Sequence, residues 1–333
     1  MKHYRTQFSN RSKKFLFLIT GGTGFIGRRV RTLLTARGYR SRILTRRPDP
    51  DKASVDVFAG DLVDVSACRG AVAGVNVVIH VAGAKRDASH FWPDNVQGTK
   101  NLLVAAISEG VQHFVHVSSV GVIGADPLQS KLFSEDAPCM PRNEYERSKW
   151  EAERLVHQAA SEGLPVTILR LANVFGDYDP ERGLLTLIQT VLNGGFFFIG
   201  GRDAICNYVY VEDVAHACLS LAGNPRAIGR TYHLSDMCAL GEFVDVLAHE
   251  LGAKRPNLAL PKPMSWMVRM ALHGSRRLPW VASTSGFDRL VSLNNRASYA
   301  TSRLADELGF ECRVGWREGL GRLVSWYRSQ GVL

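Results

Sequence analysis

Tyr145 and Lys149 stand four residues apart in the run Tyr145-Glu146-Arg147-Ser148-Lys149, a spacing that puts both side chains on one helical face. A phenol titrates near pH ~10, too high for proton transfer at neutrality. An ammonium beside it favours the phenolate and lowers that value, so the pair is suited to acid–base work. Upstream, Ser118 and Ser119 end an apolar run over 114–117 that reads as a strand. The carboxyl end of a parallel sheet is where such folds hold ligands, and a serine there can hydrogen-bond a reacting oxygen.

A third signal is Thr20-Gly21-Gly22-Thr23-Gly24-Phe25-Ile26-Gly27, which follows a strand-like run at 15–20 and opens a helix. Glycines let the backbone turn tightly and approach a pyrophosphate, whose charge meets the amides of the helix start. A glycine-rich turn alone is weak evidence. Between a strand and a helix it predicts dinucleotide binding. The end of the second strand then selects the dinucleotide. An NAD site usually places a carboxylate there, about twenty residues on, to hold the ribose 2′-hydroxyl. Here Thr45 is followed by Arg46 and Arg47. Two guanidiniums suit a 2′-phosphate, so NADP(H) is the expected cofactor; solvated arginines at a strand end are the plain alternative. Asp61, after Gly60, fits either an adenine-binding acid or a turn-forming residue.

These groups need a scaffold, and the pattern supplies one. Strand-like runs at 15–20, 42–45, 77–80, 114–117 and 166–171 alternate with helical stretches at 28–37, 96–108 and 150–160. The alternation predicts an α/β fold, a doubly wound parallel sheet of the Rossmann type. The expected division is a basic, flexible tail at 1–14, an NADP-binding domain at 15–175 and a smaller mixed substrate lobe at 176–333. Within that lobe 208–222 is expected to return to the main sheet, and helices are expected at 184–192, 211–221 and 242–251. The apolar segment 263–272, broken by Arg269, reads as a helix under the substrate pocket rather than a membrane-surface element.

At 333 residues with 45% hydrophobic and 22% charged residues, the chain is of ordinary globular composition. The net charge of +10 raises a nucleic-acid reading, but the arginines are spread out with no aromatic-interleaved basic motif. The six cysteines (Cys68, Cys139, Cys206, Cys218, Cys238, Cys312) and ten histidines show no metal-ligand spacing, so no metal is expected. No signal core or membrane span is read from the sequence. A cytoplasmic location, a small-molecule substrate, no nucleic-acid or membrane partner, and a homodimer are the remaining expectations.

The sequence resembles the extended short-chain dehydrogenase/reductase family from about Phe15 onward. The resemblance rests on TGGTGFIG (20–27), GDL (60–62), HVAG (80–83), NVQGT (95–99), VSSVGVIG (117–124), YERSK (145–149), LRLANVFG (169–176), YVYVEDVA (208–215) and the terminal LGF, WREGL and WY. It implies Ser119, Tyr145 and Lys149 as the catalytic group, with Ser119 orienting the substrate oxygen. Tyr145 would be the acid/base, and Lys149 would hold the nicotinamide ribose and tune the tyrosine. It also implies Gly21, Gly24, Phe25, Ile26, Gly27, Asp61, Leu62 and Ala82 around the cofactor, Asn95 as support for the site, and Asn173 against the substrate. Nucleotide-sugar epimerases carry an arginine where this chain has Cys206; Arg202 is the nearby candidate to replace it. The leading expectation is a nucleotide-sugar 4-keto reductase or epimerase-like enzyme. The alternatives are a 3β-hydroxysteroid or other hydrophobic-alcohol dehydrogenase, and a non-catalytic NADP sensor or assembly factor.

Overall fold

The computed structural model describes residues 15–47, 56–180, 182–199, 201–260 and 294–333. The expectations for the tail at 1–14 and the helix at 263–272 lie outside these residues. The first half runs β1 (Leu16–Thr20), α1 (Phe25–Ala36), β2 (Arg40–Thr45), β3 (Asp56–Ala59), α2 (Val65–Val72) and β4 (Val77–His80). It continues through α3 (Gly98–Ser108), β5 (His113–Ser119), β6 (Lys131–Phe133), α4 (Glu144–Ser161) and β7 (Val166–Leu171). The second half comprises β8 (Asn173–Phe175), α5 (Leu185–Leu192), β9 (Phe198–Ile199), β10 (Ile205–Tyr210), α6 (Val211–Leu221), β11 (Thr231–Leu234) and β12 (Asp236–Ala239). It ends with α7 (Leu240–Leu251), β13 (Ala259–Leu260), β14 (Ala297–Tyr299), α8 (Ser302–Leu308) and α9 (Gly315–Ser329).

A seven-stranded sheet in the order β11-β7-β5-β4-β1-β2-β3 forms the centre, and all its pairings are parallel. Strands covered on both faces have no polar side, which is why β1 and β7 are buried at every position. The alternation of the pleat assigns each residue to a layer. Phe17 and Ile19 pack with Val30 and Leu34 of α1, with α6, and with Leu304 of α8. Leu16 and Leu18 pack on the opposite side with α2, α3 and α4. Helix α1 turns Gly27, Val30 and Leu34 inward, the spacing of a single helical face. The doubly wound Rossmann-type fold expected from the sequence is present.

The expectation for 208–222 needs correction. Strand β10 does not join the main sheet: it lies in a three-stranded sheet of its own, between β8 and β12. The strand that returns is β11, paired in parallel with β7. Helix α6 does reach the main layer, packing into the core that α1 shares. Both the strand and the helix of this motif are largely buried, a pattern that fits either sheet. A second core gathers α5, α7, α9 and β10 around Phe175, Phe243 and Trp316. Asp213, fully buried at the start of α6, fastens this lobe down: its carboxylate accepts from the amides of Arg313 (2.6 Å), Val314 (3.1 Å) and Gly315 (2.9 Å).

Candidate active site

The carboxyl ends of β1, β2, β4, β5 and β7 open into a cleft of about 730 Å³, whose far wall is built by β8, β10 and residues near β14. At one end stands the glycine turn. Gly21 has a left-handed backbone (φ 68°), and a side chain there would meet the backbone of Ala82 at 2.9 Å. A side chain at Gly27 would sit 2.1 Å from the carbonyl oxygen of Gly21, so helix α1 closes onto its own turn only through glycine. Helix α1 has no side-chain cap and no acidic residue in its first turn. Its leading amides therefore face the cleft without an internal anion, a cradle that fits a diphosphate. Gly21, Gly24, Phe25, Ile26, Gly27, Asp61, Leu62 and Ala82 all line the cleft.

At the end of β2 the two arginines part. Arg46 lines the cleft, and its guanidinium lies 3.8 Å from Asp61 and 3.7 Å from Asp94, ion-pair rather than hydrogen-bond distances. Arg47 is exposed and is not among the cleft-lining residues; its amide donates to the Thr45 hydroxyl at 3.2 Å. The turn after Thr45 is what separates them. Asp61 also accepts from the amide of Val63 at 3.3 Å, so it serves a turn and faces the cleft at once.

Ser119, Tyr145 and Lys149 line the middle of the same cleft. Helix α4 begins at Glu144, with the Asn143 side chain accepting from the amide of Glu146 at 2.8 Å, so Tyr145 and Lys149 occupy its first turns. Ser119 ends β5 and its hydroxyl oxygen accepts from the amide of Gly121 at 3.1 Å. The Tyr145 ring meets Phe91 edge-on, with centroids 5.7 Å apart. Lys149, 6% exposed, donates from Nζ to the carbonyl of Val117 at 2.8 Å. Burial pulls its pKa down to about 8, with the Glu153 carboxylate opposing that shift. Glu153 is itself held by Arg170 of β7 in a buried pair at 2.7 Å.

Asn95 supports this group from beneath. Its side-chain oxygen accepts from the amide of Ala84 at 2.7 Å, and its amide donates to the carbonyl of Ala84 (3.0 Å) and to Ser148 Oγ (2.9 Å). It thus ties the turn after β4 to helix α4.

On the far wall Asn173 faces the cleft from β8, opposite Tyr208 of β10. Arg202 does not line the cleft, which corrects the expectation that it meets the substrate. Its guanidinium pairs with Asp245 at 2.7 Å, donates to the carbonyls of Gly241 and Pro256 at 3.1 Å each, and covers the Phe198 ring. It fastens the start of α7. Cys206 does line the cleft, among Pro127, Leu171, Val174, Leu187 and Ile205. Asp94, Asn295 and Tyr299 also line it. Sequence reasoning did not find them, because they come from segments far apart in the chain with no local motif.

The family model described as the NAD dependent epimerase/dehydratase family matches residues 17–235. The chain belongs to that family. It is an NAD(P)-dependent oxidoreductase of the extended short-chain dehydrogenase/reductase type. It is similar to sterol demethylase protein B of Methylococcus capsulatus, 30% identical over 95% of this chain and 99% of that protein. It is also similar to dTDP-glucose 4,6-dehydratase of Streptomyces griseus, 30% identical over 94% of each chain. Among solved structures, the fold is shared with the UDP-glucose 4-epimerase of Thermotoga maritima. The TM-score is 0.73 at 22% identity, over 95% of this chain and 99% of that one. Among the described residues no helix is long and apolar enough to cross a membrane.

Proposed function

We propose that this enzyme is NADP-dependent and interconverts a secondary alcohol and a ketone on an apolar, fused-ring substrate. One observation carries the substrate class. The wall formed by β7, β8, α5, β10 and the start of α7 contributes apolar side chains, the Asn173 and Asn207 amides, Cys206 and the Tyr208 phenol, with the Asp179 carboxylate between β8 and α5, and among the described residues no cation. A nucleotide-sugar diphosphate brings at least two negative charges that need partners when buried. Arg202, the candidate for that task, is engaged elsewhere, and the cleft position the family's arginine would take holds Cys206. The similarity to a protein named for sterol demethylation supports the same reading. For the cofactor, the support is Arg46: held loosely between two carboxylates, it can turn to a 2′-phosphate without first breaking a short hydrogen bond.

The glycine-turn amides would hold the diphosphate, Arg46 the adenosine phosphate, and Lys149 the nicotinamide ribose. When bound, the cofactor supplies the hydride or accepts it. Ser119 holds the substrate oxygen. Tyr145 gives a proton to that oxygen as a ketone is reduced, or removes it as an alcohol is oxidised. Lys149, one helical turn on from Tyr145 and lining the same cleft, would favour the phenolate through its positive charge.

The test is NADPH consumption, followed by absorbance, with a panel of steroid ketones and of UDP- and dTDP-linked 4-keto sugars. Turnover of a steroid ketone with none of a nucleotide sugar is the expected result. The reverse pattern would overturn the substrate assignment.

A further inference from the structure

Beneath the cleft lies a set of buried polar side chains that no step above uses. His80, at the end of β4 and fully buried, places Nδ1 2.6 Å from Thr20 Oγ1 and Nε2 2.8 Å from Thr99 Oγ1. The Thr99 hydroxyl gives its single proton to the carbonyl of Asn95 at 2.6 Å, so towards His80 it can only accept. The imidazole is therefore protonated on Nε2, and its Nδ1 accepts from Thr20. Thr20 Oγ1 in turn accepts from the amide of Ala82 at 3.3 Å. At the other end, the Asn95 side chain donates to Ser148 Oγ (2.9 Å), which donates to the carbonyl of Tyr145 (2.7 Å).

We propose that His80 is a positioning residue, coupling the cofactor-facing turn after β1 to the helix that carries Tyr145 and Lys149. The coupling runs along one chain of hydrogen bonds: Ala82, Thr20, His80, Thr99, Asn95, Ser148, Tyr145. The inference rests on the proposed role of Tyr145 for its functional meaning, but its geometry is independent of any substrate. A neutral imidazole matches this arrangement, since a second ring proton would turn the Thr20 hydroxyl from donor to acceptor at Nδ1 and take away the partner of its own proton. The surroundings enforce neutrality: burial, with the Lys149 charge adding to it, pulls the His80 pKa down to about 3, and the His116 ring lies 5.3 Å away.

The two ends of the imidazole can be tested separately. An asparagine amide reaches the Nδ1 position, so His80→Asn keeps the Thr20 link and drops the Thr99 link. Glutamine reaches the Nε2 position, so His80→Gln does the opposite. Hydrogen exchange on the full chain is expected to quicken roughly tenfold at 145–149 in His80→Asn, with 20–27 unchanged. His80→Gln is expected to quicken 20–27 instead, and to weaken NADPH binding by about three- to tenfold in a fluorescence titration, more than His80→Asn does. Thr99→Val and Thr20→Val should reproduce the same split and serve should either His80 variant not fold. Equal loosening of both regions in all variants, or none in either, would overturn the coupling. Failure of the wild-type chain to bind NADPH, with the exchange split intact, would instead count against the cofactor assignment.

Discussion

The two halves of the cleft are built on opposite principles. The cofactor half is polar backbone: glycines bring amides and a helix start to a fixed position, and charged side chains stand at the end of β2. The substrate half is side chain, apolar groups mixed with amides and the Tyr208 phenol, and assembled from strands and loops far apart in sequence. A diphosphate is the same in every dinucleotide, so its cradle is set by backbone geometry and leaves a short, local signature. A substrate pocket must fit one molecule, and is shaped by whichever side chains several segments deliver. The seam between the halves carries Ser119, Tyr145 and Lys149.

The largest expected effect lies at that seam. Tyr145→Phe keeps the ring and its edge contact with Phe91 but removes the proton. Turnover should fall by about 10²–10⁴-fold while NADPH affinity, a property of the cofactor half, stays near normal. Normal turnover in this variant would mean that the acid lies elsewhere in the cleft.

Next comes acid stability. His80, His113, His116 and His233 sit on strands of the main sheet, each under 2% exposed, and burial holds all four pKa values low. The unfolded chain binds protons at these sites below about pH 6.5, and the folded one does not until far lower. Stability is therefore fully present above pH 6.5 and falls as the pH drops towards 4, by up to about 1.4 kcal/mol per pH unit for each histidine. Urea titrations at pH 7.5 and 5.5 should show the loss. Hydrogen exchange at pH 5.5 should place it in the main sheet before the second core around Phe243.

Smaller effects separate the cofactor contacts. Arg46→Asp should weaken NADPH by roughly tenfold or more and spare NADH, since a charge-assisted contact is worth on the order of 1.5–3 kcal/mol. Arg47→Ala should change NADPH affinity by less than about twofold, within the range of a solvated surface charge. Smallest at neutral pH is the Lys149 effect. Its ammonium is present below about pH 8, so kcat/KM should decline as the pH rises through that value.

The contrast also explains how far the sequence could be read. Gly21, Gly24 through Gly27, Arg46 and the Tyr145–Lys149 pair line the cleft, because each motif is one turn or one helical face. The parallel alternation of the main sheet was visible for the same local reason. Arg202 was misplaced because nothing near it in sequence shows Asp245, the partner that takes its charge. The strand expected within 208–222 was assigned to the wrong sheet because its buried pattern fits either, and pairing with β8 and β12 is a long-range choice. Asp94 and His80 were invisible as parts of a site: Asp94 pairs with Arg46 at the end of β2, and the His80 hydrogen bonds join β1, β4 and α3, segments that only the fold brings together.

The measurement that bears most directly on the account is a calorimetric titration of the NADPH-saturated enzyme with two ligands, a steroid ketone and UDP. The steroid is expected to bind with a negative heat-capacity change, the mark of apolar burial, and UDP to give no heat. Saturable UDP binding that excludes the steroid would contradict it, and would require cations on the substrate wall that the described residues do not supply.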